Sequence, residues 1–258
     1  MTPPITKPIL RTLPRPGTPV PYLSIVIPTL GEAENIGPLL ERIDDALRRK
    51  AVYEVIIVDD NSTDATVKLA KNIAYRLGLP VRVYTKVGTP GKAFSLIEGF
   101  THARYKLICM IDADLQYPPE AIPAMITALR GGKDIIVGNR AARETNLMRR
   151  SLSNLSRNVF GSWLHGLDCD VQSGLKLFRK DILYHISLSP TSWTFDIEFL
   201  VHARNAGYTI GAIYVPFAAR VAGKSKIHLF KDGLEILKQS VKIKFTRPKA
   251  GIVRANKR

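Results

Sequence analysis

Along this chain, short unbroken apolar runs alternate with longer segments whose apolar positions recur every three or four residues. The runs at 23–27, 53–58, 81–84, 107–111 and 134–138 are bounded by polar or turn residues, which predicts buried strands. Between the first two, Ile36, Leu39, Leu40, Ile43 and Leu47 share one helical face. After the second, Leu69, Ala70, Ile73, Ala74 and Leu77 do the same, with Thr63 expected to cap that helix and Gly78 to end it. A loop at 88–92 opens a further helix to about residue 104, and a helix at 121–130 stops at Gly131 and Gly132. Strands that are apolar throughout, rather than at every second position, are covered on both faces. Their alternation with helices predicts an α/β fold with a mostly parallel, Rossmann-like central sheet.

The second half is less regular. A basic helical stretch is expected at 143–165, a strand at 175–178, a helix from Trp193 to Gly207 and a strand at 208–215. A basic loop follows, with Arg220, Gly223, Lys224, Ser225 and Lys226. In 227–247, Ile227, Phe230, Leu234, Leu237 and Val241 are spaced as one side of a helix, and Lys231, Lys238, Lys242, Lys244 and Arg247 supply a basic side. Such a C-terminal amphipathic helix either lies in a membrane interface or packs on its own domain. Residues 1–21 carry seven prolines and read as an extended, disordered arm, and 248–258 as a basic tail, leaving 22–226 as the folded domain.

The ends of the strands change the picture. Thr29, Asp59 and Asp60, Asp112 and Asp114, and Asn139 and Arg140 each follow a strand. In open α/β sheets the ligand lies beyond the carboxyl ends of the strands, so these groups are expected to converge on one cleft. The sharpest case is Asp112-Ala113-Asp114-Leu115-Gln116-Tyr117-Pro118-Pro119-Glu120. Its prolines forbid the strand from continuing. Acids at the end of a buried strand need a cationic partner, and a hard divalent metal holding a diphosphate would supply one. Asp59 or Asp60 could hold base or ribose groups.

Composition narrows the partners. With 38 Lys and Arg against 22 Asp and Glu, the formal charge is +16, which implies an anionic partner. Nucleic acid is not favoured, because no recognised binding motif accompanies the charge. Two cysteines, Cys109 and Cys169, exclude a disulfide framework. No stretch approaches the ~18–20 apolar residues of a membrane span, and no signal core is visible. The expected location is therefore cytoplasmic, peripheral on that face of a membrane. The loop at 88–92 is not a P-loop, since Ala93 stands where a magnesium-binding hydroxyl belongs. His102, His165, His185, His202 and His228 show neither metal nor triad spacing.

These residues resemble a known family. Ser24-Ile25-Val26-Ile27-Pro28-Thr29 with Glu32, and Val58-Asp59-Asp60-Asn61-Ser62-Thr63-Asp64, are similar to the opening motifs of family 2 (GT-A fold) glycosyltransferases. Asp112-Ala113-Asp114-Leu115-Gln116 with Pro118-Pro119-Glu120 resembles the polyprenyl-phosphate branch, the dolichyl-phosphate mannose and glucose synthases. Gly138-Asn139-Arg140, 172–178 and 223–226 look like its later landmarks.

The resemblance implies a metal-dependent inverting hexosyltransferase that uses Mg²⁺ or Mn²⁺. It implies a nucleotide-diphosphate sugar donor, of GDP-mannose or UDP-glucose type, and a polyprenyl phosphate acceptor. Pro28, Leu30, Glu32, Val58, Asp59 and Asp60 would line the nucleotide pocket. Asp112, Ala113, Asp114 and Gln116 would hold the metal and diphosphate, with Asp112, Asp114 and Gln116 as metal ligands. Arg140, Arg220 and Lys226 would contact the donor diphosphate or the acceptor phosphate, and Arg150 and Lys224 the acceptor phosphate. Asp112, Asp114, Arg140 and Arg220 would carry catalysis. Leu30-Gly31 replaces the family's common Tyr-Asn, and Ala222 an arginine of some mannose synthases. The acceptor would be met through the basic surface, the amphipathic helix or a separate membrane-anchor protein. A soluble glycan, a protein or another lipid is the alternative acceptor.

Overall fold

The computed structural model describes residues 20–141, 166–189 and 194–218. Seven strands form one sheet in the order β3-β2-β1-β4-β6-β5-β7. They are β1 Tyr22–Thr29, β2 Val52–Asp59, β3 Val81–Thr85, β4 Leu107–Met110, β5 Ile135–Ala141, β6 Lys176–Arg179 and β7 Ile210–Pro216. All neighbours pair in parallel except β6, which runs antiparallel to both β4 and β5. The helices are α1 Ala33–Leu47, α2 Thr66–Leu77, α3 Lys92–His102, α4 Ile122–Arg130, α5 Ile182–His185 and α6 Phe195–Asn205.

Period-two geometry explains why the strands are apolar throughout. In β1, Ile25 and Ile27 enter a core shared with α1 and α4, while Val26 enters a second core with α3 and α6. In β2, Val55 and Ile57 face the first core, and Ile56 and Val58 the second. Helix α3 sits very close to the sheet at Gly99, where a Cβ would come within 2.4 Å of Val26 Cγ1. That contact fixes where the N-terminus of α3 arrives at the cleft.

The elements expected within the described residues form, and the sheet is mostly parallel and flanked by helices on both faces. One cap differs. Thr63 does not cap α2, which begins three residues later at Thr66. Ala65 stands at the N-cap, and Asp64 just before it turns the chain in: its Oδ1 accepts the Thr66 N–H at 3.0 Å. A carboxylate two residues back reaches the first-turn donor, whereas Thr63 lies outside the turn. Gly78 ends the helix at φ +60° as expected. The arm at 1–19, the stretch at 142–165 and everything from residue 219 lie outside the described residues, including the amphipathic segment at 227–247. No helix among the described residues is long and apolar enough to cross a membrane.

Candidate active site

Strands β1, β2, β4 and β5 point the same way, so their carboxyl ends share one edge of the sheet. The chain runs outward from β1 to β3, then returns to place β4 on the other side of β1. This is the switch point at which such sheets open a ligand crevice. Two non-glycine residues among those described have positive φ: Asn61 at +60° and Leu115 at +61°. They follow β2 and β4. Strained backbone of this kind persists only where its surroundings hold it, and it clusters at functional turns.

On the β2 side, the polar groups build the loops themselves. Asp59 is 1% exposed; its carboxylate accepts from Thr29 Oγ1 at 2.9 Å, Ser62 Oγ at 2.6 Å and the Ser62 N–H at 2.8 Å. Its neighbour Asp60 pairs with Lys86 Nζ at 2.7 Å and accepts the Gly91 N–H at 2.7 Å. The buried Lys86 also donates to the Gly91 carbonyl and to Ser95 Oγ, each at 3.0 Å. Asp60 therefore locks the loop after β3 onto the end of β2. Glu32 Oε2 accepts from Asn35 Nδ2 at 2.7 Å, and its N–H donates to Thr66 Oγ1 at 2.8 Å. Leu30 is exposed at the rim and Pro28 half-buried, whereas the Val58 side chain is fully buried in the second core and forms floor rather than lining.

The turn after β4 holds the centre of the cleft. Asp112 Oδ1 lies 2.6 Å from Lys92 Nζ, the first residue of α3. Asp196 Oδ2 is 3.9 Å from the same ammonium, and Asp196 Oδ1 is 2.5 Å from Lys176 Nζ. Burial by itself would lower the Lys92 pKa, but the carboxylates of Asp112 and Asp196 outweigh it and hold the ammonium charged. The backbone at Gly174 presses on Asp112: a Cβ there would lie 2.0 Å from Asp112 Oδ2, so any larger residue would have to displace that carboxylate. Ala113 and Asp114 are buried, and Asp114 Oδ1 accepts the Gln116 N–H at 3.2 Å. Gln116 joins the segment just after β7 by two bonds. Its Nε2 donates to the Ala218 carbonyl at 3.2 Å, and its own carbonyl accepts the Ala218 N–H at 3.0 Å.

Arg140, at the end of β5, makes a two-pronged pair with Asp170 through Nε and Nη2, and its guanidinium sits 5.3 Å over the Phe217 ring. Burial opposes the charge, but Asp170 raises the pKa further still. Asn139 Oδ1 accepts the Asp170 N–H at 2.8 Å, and Ser173 Oγ donates to the Gly138 carbonyl at 2.7 Å. Asp170 and Ser173 are thereby pinned to β5 while Gly174 reaches across to Asp112. Tyr117 is buried beside this cluster, 5.0 Å from the Phe217 ring, and burial pushes its phenol up.

The expected residues Pro28, Leu30, Glu32, Asp59, Asp60, Asp112, Asp114, Gln116 and Arg140 thus come to one edge. Arg150, Arg220, Lys224 and Lys226 lie outside the described residues. Lys86, Lys92, Asp170 and Asp196 carry no site role in the sequence reading, and Gly174 and Lys176 fall in the 172–178 landmark without one. The signal available was position: Lys86 directly follows β3, and Lys92 opens α3 beside a loop already marked by its glycines.

A divalent cation fits the donor set at the centre. Among the described residues no group of three or more His, Cys, Asp or Glu forms a complete cage. Asp112 does offer a hard, partly exposed carboxylate already facing a cation. One or two carboxylates, with the remaining positions left to diphosphate and water, is how magnesium-like ions are held beside nucleotides.

The sequence profile of Glycosyl transferase family 2 matches residues 24–187, and the chain belongs to that family. It is 31% identical over 212 residues to a dolichol-phosphate mannosyltransferase of Pyrococcus furiosus, a match covering 80% of this chain and 59% of that protein. It is 32% identical over 235 residues to a dodecaprenyl-phosphate galacturonate synthase of Rhizobium johnstonii, covering 88% of this chain and 68% of the relative. Glucosyl-3-phosphoglycerate synthase from Mycobacterium tuberculosis, solved with Mn²⁺, UDP-glucose and phosphoglyceric acid, shares the fold. Its TM-score is 0.69 at 16% identity, over 92% of this chain and 88% of that one.

Proposed function

We propose that this chain transfers a hexose from a nucleotide-diphosphate sugar to a polyprenyl phosphate at a membrane surface, in one inverting displacement. The observation that carries this reading is the state of Asp196. This acid of the cleft is ion-paired to Lys176 and faces Lys92, rather than standing free to take a proton. An alcohol acceptor needs a general base, but a phosphate acceptor is already anionic at neutral pH and needs none. The two relatives named above carry polyprenyl phosphates in their names, which supports the same class of acceptor.

The roles follow from position. Asp60, fixed by Lys86, shapes the pocket for base and ribose with Pro28, Leu30 and Glu32. Asp112 and Asp114, with Gln116 beside them, would hold Mg²⁺ or Mn²⁺. Such an ion, when bound, neutralises charge on the departing nucleoside diphosphate. Lys92 and Arg140 add positive charge on either side of the path. Arg140 is oriented by Asp170 and Phe217, so its donors need little reorganisation at the moment of transfer. Arg220 and Lys226 are proposed for the diphosphate, and Arg150 and Lys224 for the acceptor phosphate. The segment 227–247 is proposed as the membrane contact; unchanged liposome flotation after its deletion would remove that role.

The deciding experiment is a donor panel, including GDP-mannose and UDP-glucose, with Mn²⁺ or Mg²⁺ and a short polyprenyl phosphate. Label is expected in the organic phase for one donor. Glycosylation of a soluble acceptor alone would overturn the reading.

A further inference from the structure

Lys92 is placed against two rules at once. It is the first residue of an eleven-residue helix whose first turn holds no acid, where the macrodipole disfavours a cation. Its ammonium also sits on Asp112, the carboxylate best placed for a divalent ion, at 2.6 Å. Both of its partners are carboxylates, Asp112 and the more distant Asp196, and its side chain remains 34% exposed. Lys86, six residues earlier, is by contrast held by a carboxylate, a carbonyl and a hydroxyl and is completely enclosed. One lysine is built in by a carboxylate, a carbonyl and a hydroxyl, and the other is held by its ion pairs.

We propose that Lys92 is a resident counter-ion of the metal site. It holds Asp112 until a divalent cation arrives, and so couples metal binding to nucleotide binding. A free cation must displace the ammonium from Asp112 and leave it facing the positive end of α3. If a nucleoside diphosphate arrives as well, the displaced ammonium gains an anionic partner. The site therefore favours metal and nucleotide together over metal alone, and by linkage each strengthens the other by the same factor. The inference rests on the metal reading above and is independent of the acceptor.

The test is a Mn²⁺ titration of the full chain, followed by electron paramagnetic resonance, with and without GDP or UDP. Lys92→Gln is expected to bind free Mn²⁺ about tenfold more tightly than wild type, since a competing charge at contact distance is gone. The enhancement of Mn²⁺ binding by nucleotide should shrink by a similar factor, and Lys92→Arg should behave as wild type. A Lys92→Gln protein with unchanged melting that binds free Mn²⁺ no more tightly than wild type overturns the proposal. Lys92→Met repeats the measurement if the glutamine variant is unstable. Asp112→Asn separates the two ideas. If it loses Mn²⁺ while Lys92→Gln changes nothing, the counter-ion role fails alone. If it retains Mn²⁺, the metal reading fails and the counter-ion role with it.

Discussion

Two aspartate–lysine pairs flank one short loop, and they are built for different purposes. The Asp60–Lys86 pair is sealed, with side-chain exposures of 7% and 1%, and its lysine is also bonded to a carbonyl and a hydroxyl. In the Asp112–Lys92 pair the exposures are 26% and 34%, and the lysine's ion-pair partners among the described residues are the carboxylates of Asp112 and Asp196. A sealed pair resists change because breaking it strands a buried charge. An open pair contributes little to stability, since solvent replaces what either partner loses. The first fixes the shape of the cleft, and the second leaves a charge available for chemistry.

The comparison can be broken most severely at Asp112. Asp112→Asn should lower kcat/KM for transfer by at least about a hundredfold, the scale of losing a group that stabilises developing charge. Its melting temperature should stay close to that of wild type, and retained activity would take Asp112 out of the reaction. Lys86→Met should do the reverse, destabilising the fold by about 3 kcal/mol through the stranded Asp60. The expected fall in Tm is on the order of 10 °C, and calorimetry showing no shift would contradict the sealed-pair account.

Gly174→Ala probes the open pair without touching a charge. Its Cβ would strike Asp112 Oδ2, and a misplacement of about 1 Å in a reacting group can reduce turnover by tens-fold or more. Stability should change little, so activity and melting measured together tell displacement from unfolding. The smallest effect concerns Glu54, which accepts Ser24 Oγ at 2.7 Å, Arg82 Nη2 at 2.6 Å and the Arg104 N–H at 2.8 Å. Burial opposes its charge, but these donors outweigh that and hold its pKa below the ordinary 4.5. A depressed carboxylate contributes stability that is present above its unfolded pKa and lost as pH falls through the folded value. Wild type should therefore lose stability below about pH 4.5, the ordinary carboxylate value. Glu54→Gln should be less stable at neutral pH and show a shallower acid dependence, read from melting curves across pH.

Much of this was legible because the relevant signals are local. An apolar run and the polar residue ending it lie side by side in the chain, so the sequence alone places Thr29, Asp60, Asp112 and Arg140 at strand ends. Lys86 was hidden for the opposite reason. A lysine after a strand reads as exposed, and its burial is set by Asp60 and Gly91, which come from different turns. Asp170 and Asp196 reach the cleft only through pairing with Arg140 and Lys176. The direction of β6 left no mark either, since an apolar run reads the same whichever way it lies. Asp59 shows the limit of type alone: its motif marks the cleft, yet its carboxylate is used inside the loop.

The reversed strand bears on how the molecule comes together. Strands β3, β2, β1 and β4 are contiguous in both sequence and sheet, and can zip in the order in which they are made. The next strand, β5, has no partner on that sheet until β6, formed later, is laid between it and β4. Pairings of long sequence separation are slow to form and leave edges open meanwhile. Gly174 stands at the entrance to β6, so the contact that seats Asp112 belongs to this late step. On this topology the loops after β1 and β2 depend on contacts close in sequence, whereas the seating of Asp112 against Gly174 depends on a strand made much later.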